Sequence, residues 1–379
     1  MRASTRSEVD PFIVMDVMEA ARRKEAEGQH VIHMEVGQPG TPAPLGARQA
    51  LTRAVGEASL GYTVALGLPA LRQRIAALYQ DWYGLALNPD RVVITPGASG
   101  AFILAFTALF EAGQRVGLGL PGYPSYRHIL KALSLQAVGL PTAAAHRYQP
   151  VPEDVPEGLA GLIVASPANP SGTMLGAEAL AALIERCGQI GAAFISDEIY
   201  HGLHYRDRAI SALELSDEVV IVNSFSKYFS MTGWRVGWMV VPERDIRTYE
   251  RLAQNLFICP AHASQVAALA AFDCRAELDA NRTVYAENRR LMLEGLPAIG
   301  LPDFAPPDGA FYAYVDVGDV TPDSRALASR ILEEVGVAVT PGLDFDPTRG
   351  HRMLRLSYAA KTTDIAEGLE RLGAFFAKG

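Results

Sequence analysis

The sequence predicts an α/β protein with a large domain built on a mainly parallel sheet sandwiched by helices, joined to a smaller α+β domain. Three observations carry this. From Arg91 onward, apolar runs of strand length alternate with segments of helical period. The runs at 92–95, 162–165 and 219–223 are near-continuously apolar rather than alternating, as expected for strands buried on both faces by helix crossovers. After a long charge-rich segment at 275–296, residues 310–317 (AFYAYVDV) switch to alternation, the pattern of a half-solvated strand in a separate unit.

In chain order, residues 11–27 (PFIVMDVMEAARRKEAE) read as a helix with a mixed face, which needs another surface to pack on, such as a second subunit. Residues 33–40 (HMEVGQPG) read as a short strand ending in a Gly/Pro turn, and 48–55 as a short helix before the loop opened by Gly61-Tyr62-Thr63. Leu71, Ile75, Leu78 and Trp82 give 68–83 a helical period. Then come a strand at 92–95, a turn at 96–100 (PGASG) and a helix at 101–110. A strand at 116–119 is followed by PGYP and a helix to Ala132. A strand at 162–165 leads into SPANPSGT and a helix at 177–187. The strand at 193–197 runs into Glu198-Ile199-Tyr200, and the one at 219–223 into Lys227, with a further strand at 236–241. Helices at 261–272 and 275–296 follow, the second a bridge to the smaller unit. That unit holds the alternating strand, a helix at 325–335, a strand at 353–358 and a closing helix at 364–376.

Composition narrows the function classes. A chain of 379 residues with 49% hydrophobic and 20% charged residues is long enough for two domains and a large core. Its net charge of −8 disfavours nucleic acid and anionic membranes as partners. Cys187, Cys259 and Cys274 lie far apart, without metal-ligand spacing or a disulfide framework, which fits a reducing cytoplasm. The opening MRASTRSEVD offers no apolar signal core. Residues 92–110 carry no charge, but Pro96, Gly97, Ser99 and Gly100 break them into strand, turn and buried helix rather than a membrane span.

The chemistry centres on Lys227, the sole charge between Glu218 and Arg235 and one of only five lysines. Most lysines snorkel at the surface. This one sits in a loop after a buried strand, where α/β proteins keep their chemistry. Dry neighbours and a nearby arginine lower the proton affinity of an amine, and a neutral amine attacks carbonyls. Four other features stand near strand ends. Pro96–Gly100 joins a strand to a helix N-terminus, where backbone N–H groups favour an anion. Asp197 ends an apolar run and needs a cationic or hydrogen-bonded partner, with Glu198 as its exposed neighbour. Asn169 is held between Pro167 and Pro170, so it is aimed. Arg235 and Arg355 lie in apolar settings that demand anions. His201 and His204 (HGLH) are spaced for a metal but lack a third ligand nearby, and read as a polar rim.

Ser224-Phe225-Ser226-Lys227 also fits S-x-x-K of the penicillin-binding enzymes. That reading fails on order and partners, because Ser196-Asp197-Glu198 lies upstream and Lys361-Thr362-Thr363 lacks the glycine.

Taken together, SFSKYFSMTGWRVGW preceded in order by PGYP, NPSGT and SDEIY resembles the class I/II aminotransferases of the pyridoxal-phosphate fold type I superfamily, from about residue 30 to the end. The resemblance implies a large domain with a mainly parallel seven-stranded sheet and a small C-terminal domain. Residues 1–40 are then an N-terminal arm and small-domain segment, 41–280 the large domain, and 281–379 the small one. It implies pyridoxal 5′-phosphate held as an aldimine on Lys227, which moves the proton between substrate Cα and the cofactor. Asp197 would pair with the pyridine nitrogen. Tyr200 and Asn169 would bond the ring hydroxyl. Ala98, Ser99, Ser224 and Arg235 would bind the phosphate, Tyr123 would stack on the ring, and Tyr62 would reach the phosphate from a second subunit of a homodimer. Arg355 would clamp the substrate α-carboxylate, with Gly37 lining the same pocket.

The substrates implied are an amino acid and a 2-oxo acid. No second arginine is recognisable for a distal carboxylate. Phe12, Ile13 and Phe257 offer apolar wall, so a neutral or apolar donor is expected. The same residues would serve β-elimination at a C–S bond, and product analysis separates the two. Some transcription regulators carry a sensor domain of this kind behind a basic DNA-binding unit. The short stretch before His33 and the negative charge argue against that reading.

Overall fold

The structure is a computed structural model and describes residues 3–377. The chain opens with helix α1 (Ile13–Ala26) and a two-residue strand β1 (Ile32–His33). Helices α2 (Leu45–Glu57) and α3 (Pro69–Tyr83) precede β2 (Val92–Thr95), α4 (Gly97–Leu109), β3 (Arg115–Leu120), α5 (Pro124–Ala132) and β4 (Gln136–Pro141). Next come β5 (Gly161–Ala165), α6 (Ala177–Ile190), β6 (Ala193–Asp197), β7 (Val220–Ser224) and β8 (Gly237–Val240). Helices α7 (Ile246–Leu256), α8 (His262–Ala271) and α9 (Arg275–Ala298) follow. The C-terminal part holds β9 (Tyr312–Asp316), α10 (Ser324–Val335), β10 (Val337–Ala338), β11 (Thr340–Pro341), β12 (Met353–Ser357) and α11 (Thr362–Phe376).

Seven strands form the central sheet in the order β2-β8-β7-β6-β5-β3-β4. Its pairings are parallel except the two made by β8. Every residue of β2, β7 and β8 is buried, which is why their sequences are near-continuous apolar runs. Helix α4 packs Phe102 and Phe106 beneath the sheet, and a fully buried Phe stabilises the fold by roughly 1.5–3 kcal/mol. Helix α3 shows how local sequence sets an element. Pro69 fits its first turn, Leu71, Ile75 and Leu78 make its buried stripe, and Gly84 at φ +72 ends it in the left-handed region.

The second sheet is antiparallel, β11-β12-β9. Strand β1 pairs parallel with β10, and Ser357 N–H donates to Met34 O at 2.7 Å, so the N-terminal segment is built into the C-terminal unit.

Several elements differ from expectation. The alternating strand expected at 310–317 is β9, and only Asp316 of it is more than marginally exposed. Its alternation predicts a wet face, but Tyr312 bonds the Tyr200 hydroxyl at 2.7 Å and Tyr314 packs on Phe345 on one face, while Ala313 and Val315 are buried on the other. The turn expected at 96–100 is mostly the first turn of α4, which starts at Gly97. The strand expected at 33–40 shrinks to β1, because Gly37, Pro39 and Gly40 turn the chain early. Strand β4 escapes a reading of apolar runs because it is an edge strand with mostly exposed residues. Helix α7 escapes it because its narrow apolar face sits in a polar sequence, IRTYERLAQNL.

Candidate active site

The site lies where strand ends converge. Ala165 of β5 stands opposite Asp197 of β6, and Asp197 opposite Val222 of β7. The loops leaving these three strands therefore carry Asn169, Tyr200 and Lys227 to one place, at the carboxyl edge of the sheet. Thr95 of β2 and Ser224 of β7 both face Gly237 of β8. A Cβ on Gly237 would press on Asn223 O at 2.8 Å and on the Gly97 carbonyl carbon at 2.9 Å, so only glycine lets α4 begin there.

A cavity of about 230 Å³ occupies this edge. Gly37, Ala98, Ser99, Tyr123, Asn169, Asp197, Tyr200, Lys227, Arg235 and Arg355 all line it. Among the described residues around it, three cations face the single carboxylate of Asp197. Such a charge excess suits a ligand with anionic groups.

Lys227 is half-buried, and its Nζ donates to Gly37 O at 2.6 Å. Burial first, then the charges of Arg355 and Arg235, push the amine down to about 7, partly offset by Asp197. Asp197 is buried and pushed up to about 6 by desolvation. Tyr126 OH and the Ile199 N–H, the latter at 3.0 Å, donate to it and oppose that rise. Arg355 is 2% exposed and has no carboxylate partner among the described residues. It donates to Asn169 Oδ1 at 3.0 Å and to Glu35 O, and its Nε is left without a partner. Tyr312 and Phe345 hold the guanidinium between them, at 4.4 and 4.7 Å from their ring centres.

At the other end, helix α4 has no side-chain cap, so its first N–H groups are open to an anion. The Arg235 guanidinium lies over Gly97, where a Cβ would collide with it. Arg235 itself has a left-handed backbone, φ +50, and donates to Thr232 O at 2.8 Å. A helix N-terminus, a guanidinium and hydroxyls around one space fit a phosphate group. The buried Asp197 fits a protonated ring nitrogen, and the unpartnered Arg355 Nε fits a carboxylate.

The structure separates some expected residues from the site. Ser224 is buried behind the cavity, bonded to Val236 O at 3.2 Å and to Ser226 Oγ at 2.8 Å; Ser226 is the serine that lines the space. Phe12 lines it with Val14 and Met15, whereas Ile13 and Phe257 are not among its lining residues. Tyr62 is 84% exposed and does not line this cavity.

Glu198, expected to be exposed, is fully buried, and burial pushes its carboxyl up to about 8. Ala212 N–H at 2.8 Å and Ser211 Oγ at 3.0 Å draw it inward. His201 is no polar rim either. It is buried and pushed down to about 3, chiefly by desolvation. Its Nε2 bonds Ser166 O at 2.9 Å and its Nδ1 bonds Tyr83 OH at 2.6 Å, which ties the turn after Tyr200 to the loop of Asn169.

Comparison with known proteins bears on the chemistry. The family model for aminotransferase class I and II matches residues 29–372. Valine–pyruvate aminotransferase of Mycobacterium tuberculosis is 46% identical, over 99% of this chain and 98% of its own. A crystal structure from Silicibacter pomeroyi, with an inferred aminotransferase activity, is 64% identical at a TM-score of 0.96, with 100% of both chains covered. Aspartate aminotransferase from Thermus thermophilus with maleate is 30% identical at a TM-score of 0.92, covering 99% of this chain and 100% of its own. The chain therefore belongs to the class I and II aminotransferases, enzymes that use pyridoxal phosphate to move an amino group between an amino acid and a 2-oxo acid.

Proposed function

We propose that Lys227 carries the cofactor and that the enzyme prefers amino donors with neutral, apolar side chains. The observation that carries the preference is the cavity wall. Phe12, Val14, Met15 and Ile129 line it, and its only cations among the described residues are Lys227, Arg235 and Arg355, each with a role. A distal carboxylate would meet no spare guanidinium there, and a buried unpaired charge is costly. The similarity to valine–pyruvate aminotransferase supports the same reading.

Bound pyridoxal phosphate supplies an electron sink for the electrons of the breaking Cα–H bond. The roles of the chain's own residues follow. Lys227 Nζ, near its titration point at neutral pH, would hold the cofactor through its aldehyde carbon with loss of water and, once displaced by the donor amine, would take the donor's Cα proton and deliver it to the cofactor side. Asp197 would hold a proton on the pyridine nitrogen. Asn169 gives its oxygen to Arg355, which leaves its amide N–H groups for the ring hydroxyl, beside the Tyr200 hydroxyl. Ala98, Ser99, Ser226 and Arg235 would hold the phosphate, with Ser224 orienting Ser226 from behind. Tyr123 would cover the ring, and Arg355 would take the α-carboxylate with Gly37 alongside. Valine and leucine should exceed aspartate in kcat/KM by at least roughly tenfold, the scale of one unmet polar contact. A hundredfold preference for aspartate over every neutral donor would defeat this pocket reading.

The working form is proposed to be a homodimer with shared sites. Tyr62, Val64, Leu256 and Ile258 expose apolar surface on two neighbouring segments, which Thr63 N–H to Cys259 Sγ (3.5 Å) and His262 Nδ1 to Gly61 O (2.8 Å) hold together. Such a patch marks an interface, and Tyr62 stands on it, free to reach a partner's cavity. Sedimentation should show a dimer, and a crystal structure an interface of ~2,000 Å² or more; a fully active monomer at assay concentration would exclude it. Residues 1–40 with 281–379 are proposed as the small domain and arm, and 41–280 as the large domain, supported by the pairing of β1 with β10. A cytoplasmic setting is supported by cysteines that are all free.

A further inference from the structure

Helix α1 contributes three cavity-lining residues at its start, Phe12, Val14 and Met15. Yet it cannot fix its own N-terminus, because Phe12 occupies the capping position and offers no hydrogen-bonding side chain. The cap comes from far along the chain. Asp344, fully buried in the segment between β11 and β12, accepts from Ile13 N–H through Oδ1 at 3.2 Å and from Val14 N–H through Oδ2 at 3.1 Å. Both carboxylate oxygens are thus committed to α1, and their charge lies at the positive end of the helix dipole.

The same segment is anchored to the rest of the site. Arg127 of α5 donates to Asp344 O at 2.7 Å, and Gly122 N–H donates to Phe345 O at 3.0 Å. Phe345 packs under the Arg355 guanidinium, and Phe12 meets the Tyr123 ring edge-on at 6.0 Å. Asp344 therefore links the apolar wall to the carboxylate clamp and to the aromatic cover without touching the cavity itself.

We propose that Asp344 is a positioning residue that sets donor specificity, by capping α1 from outside the helix and so holding Phe12, Val14 and Met15 as the wall against the donor side chain. This rests on the reading above that the wall faces that side chain. Ordinary helix caps act on folding stability alone. Here the helix start is also the specificity surface, so a loosened cap is read out in the choice of donor.

The test is the amino-donor half-reaction of the holoenzyme, followed by its visible absorbance with valine, leucine and alanine in turn. Asp344→Asn keeps the volume and one acceptor oxygen but loses the second acceptor and the charge. It should lower kcat/KM for valine and leucine by roughly tenfold while moving alanine by less than about threefold, mainly through KM, since wall contacts act on binding. Phe12→Ala should show the same selectivity. Asp344→Asn added to Phe12→Ala should cost less than about twofold more, because coupled residues are not additive.

Should Asp344→Asn fail to fold, Ile13→Pro removes one of the two donated bonds at the first helical position, where proline is tolerated, and should give the same selective loss in weaker form. Equal losses for all three donors, no loss, or an additive double variant would overturn the proposal. The wild-type donor profile alone judges the apolar-pocket reading. The ratio of variant to wild type for each donor judges Asp344.

Discussion

Lys227→Ala is expected to remove covalent attachment of the cofactor and to lower turnover by roughly 10⁴-fold or more, the upper range for deleting a positioned acid–base group. Borohydride treatment of the wild-type holoenzyme should fix the cofactor to Lys227, and mass spectrometry of the digested protein locates it. The amine lies among apolar and aromatic side chains, 5.7 Å from the Tyr200 ring centre, and two guanidiniums repel its charge. Its pKa near 7 means that capture of pyridoxal phosphate by the apoprotein should rise with pH through about 7, as the neutral form becomes the majority. An ordinary lysine would show that rise only near pH 10. A reduced label found on Lys24, Lys131 or Lys361 would remove the whole site assignment.

Much of this site is legible in the sequence for one reason. A charged residue set inside a buried strand or at its end has little solvent to turn to, so Asp197, Arg355 and Lys227 announce themselves. The residues that escape such a reading are those whose surroundings come from distant chain. Glu198 sits next to Asp197 and looks like its solvent-facing neighbour. It is buried because Ser211 and Ala212, more than ten residues on, fold over it with hydroxyl and N–H donors. Asp344 lies in PGLDFD, between two strands, and its partners Ile13 and Val14 are more than 300 residues away. Ser224 ends β7 and Ser226 lies in the turn that follows, and only the fold decides that Ser226 reaches the cavity while Ser224 lies behind it. The same holds for the fold. The buried strands are readable from their apolar runs, whereas the short apolar stretch Ala137–Leu140 of β4 lies mostly exposed at the sheet edge and does not stand out from a loop.

Arg355→Ala is expected to lower kcat/KM for every amino donor by about 10²–10⁴, the kinetic equivalent of the ~3–5 kcal/mol lost when one member of a desolvated ion pair is removed. Arg355 sits in the middle of β12, paired with Tyr314 of β9 on one side and Thr340 of β11 on the other, so the strand fixes its origin. The Tyr312 and Phe345 rings fix the plane of its guanidinium, and Asn169 and Glu35 O take donors from both Nη atoms. What remains is the buried Nε edge, which has no partner and so is held ready for a carboxylate. Arg355→Lys should lose less than the alanine variant because it keeps a cation. It should still fall well below wild type, because an ammonium cannot form the two-pronged contact or lie flat between two rings. The loss should be similar for valine, leucine and alanine, since all three present the same α-carboxylate. That uniformity separates the clamp from the apolar wall. A variant that kept wild-type kcat/KM for alanine while losing only the branched donors would show that Arg355 supports the wall and does not bind the carboxylate.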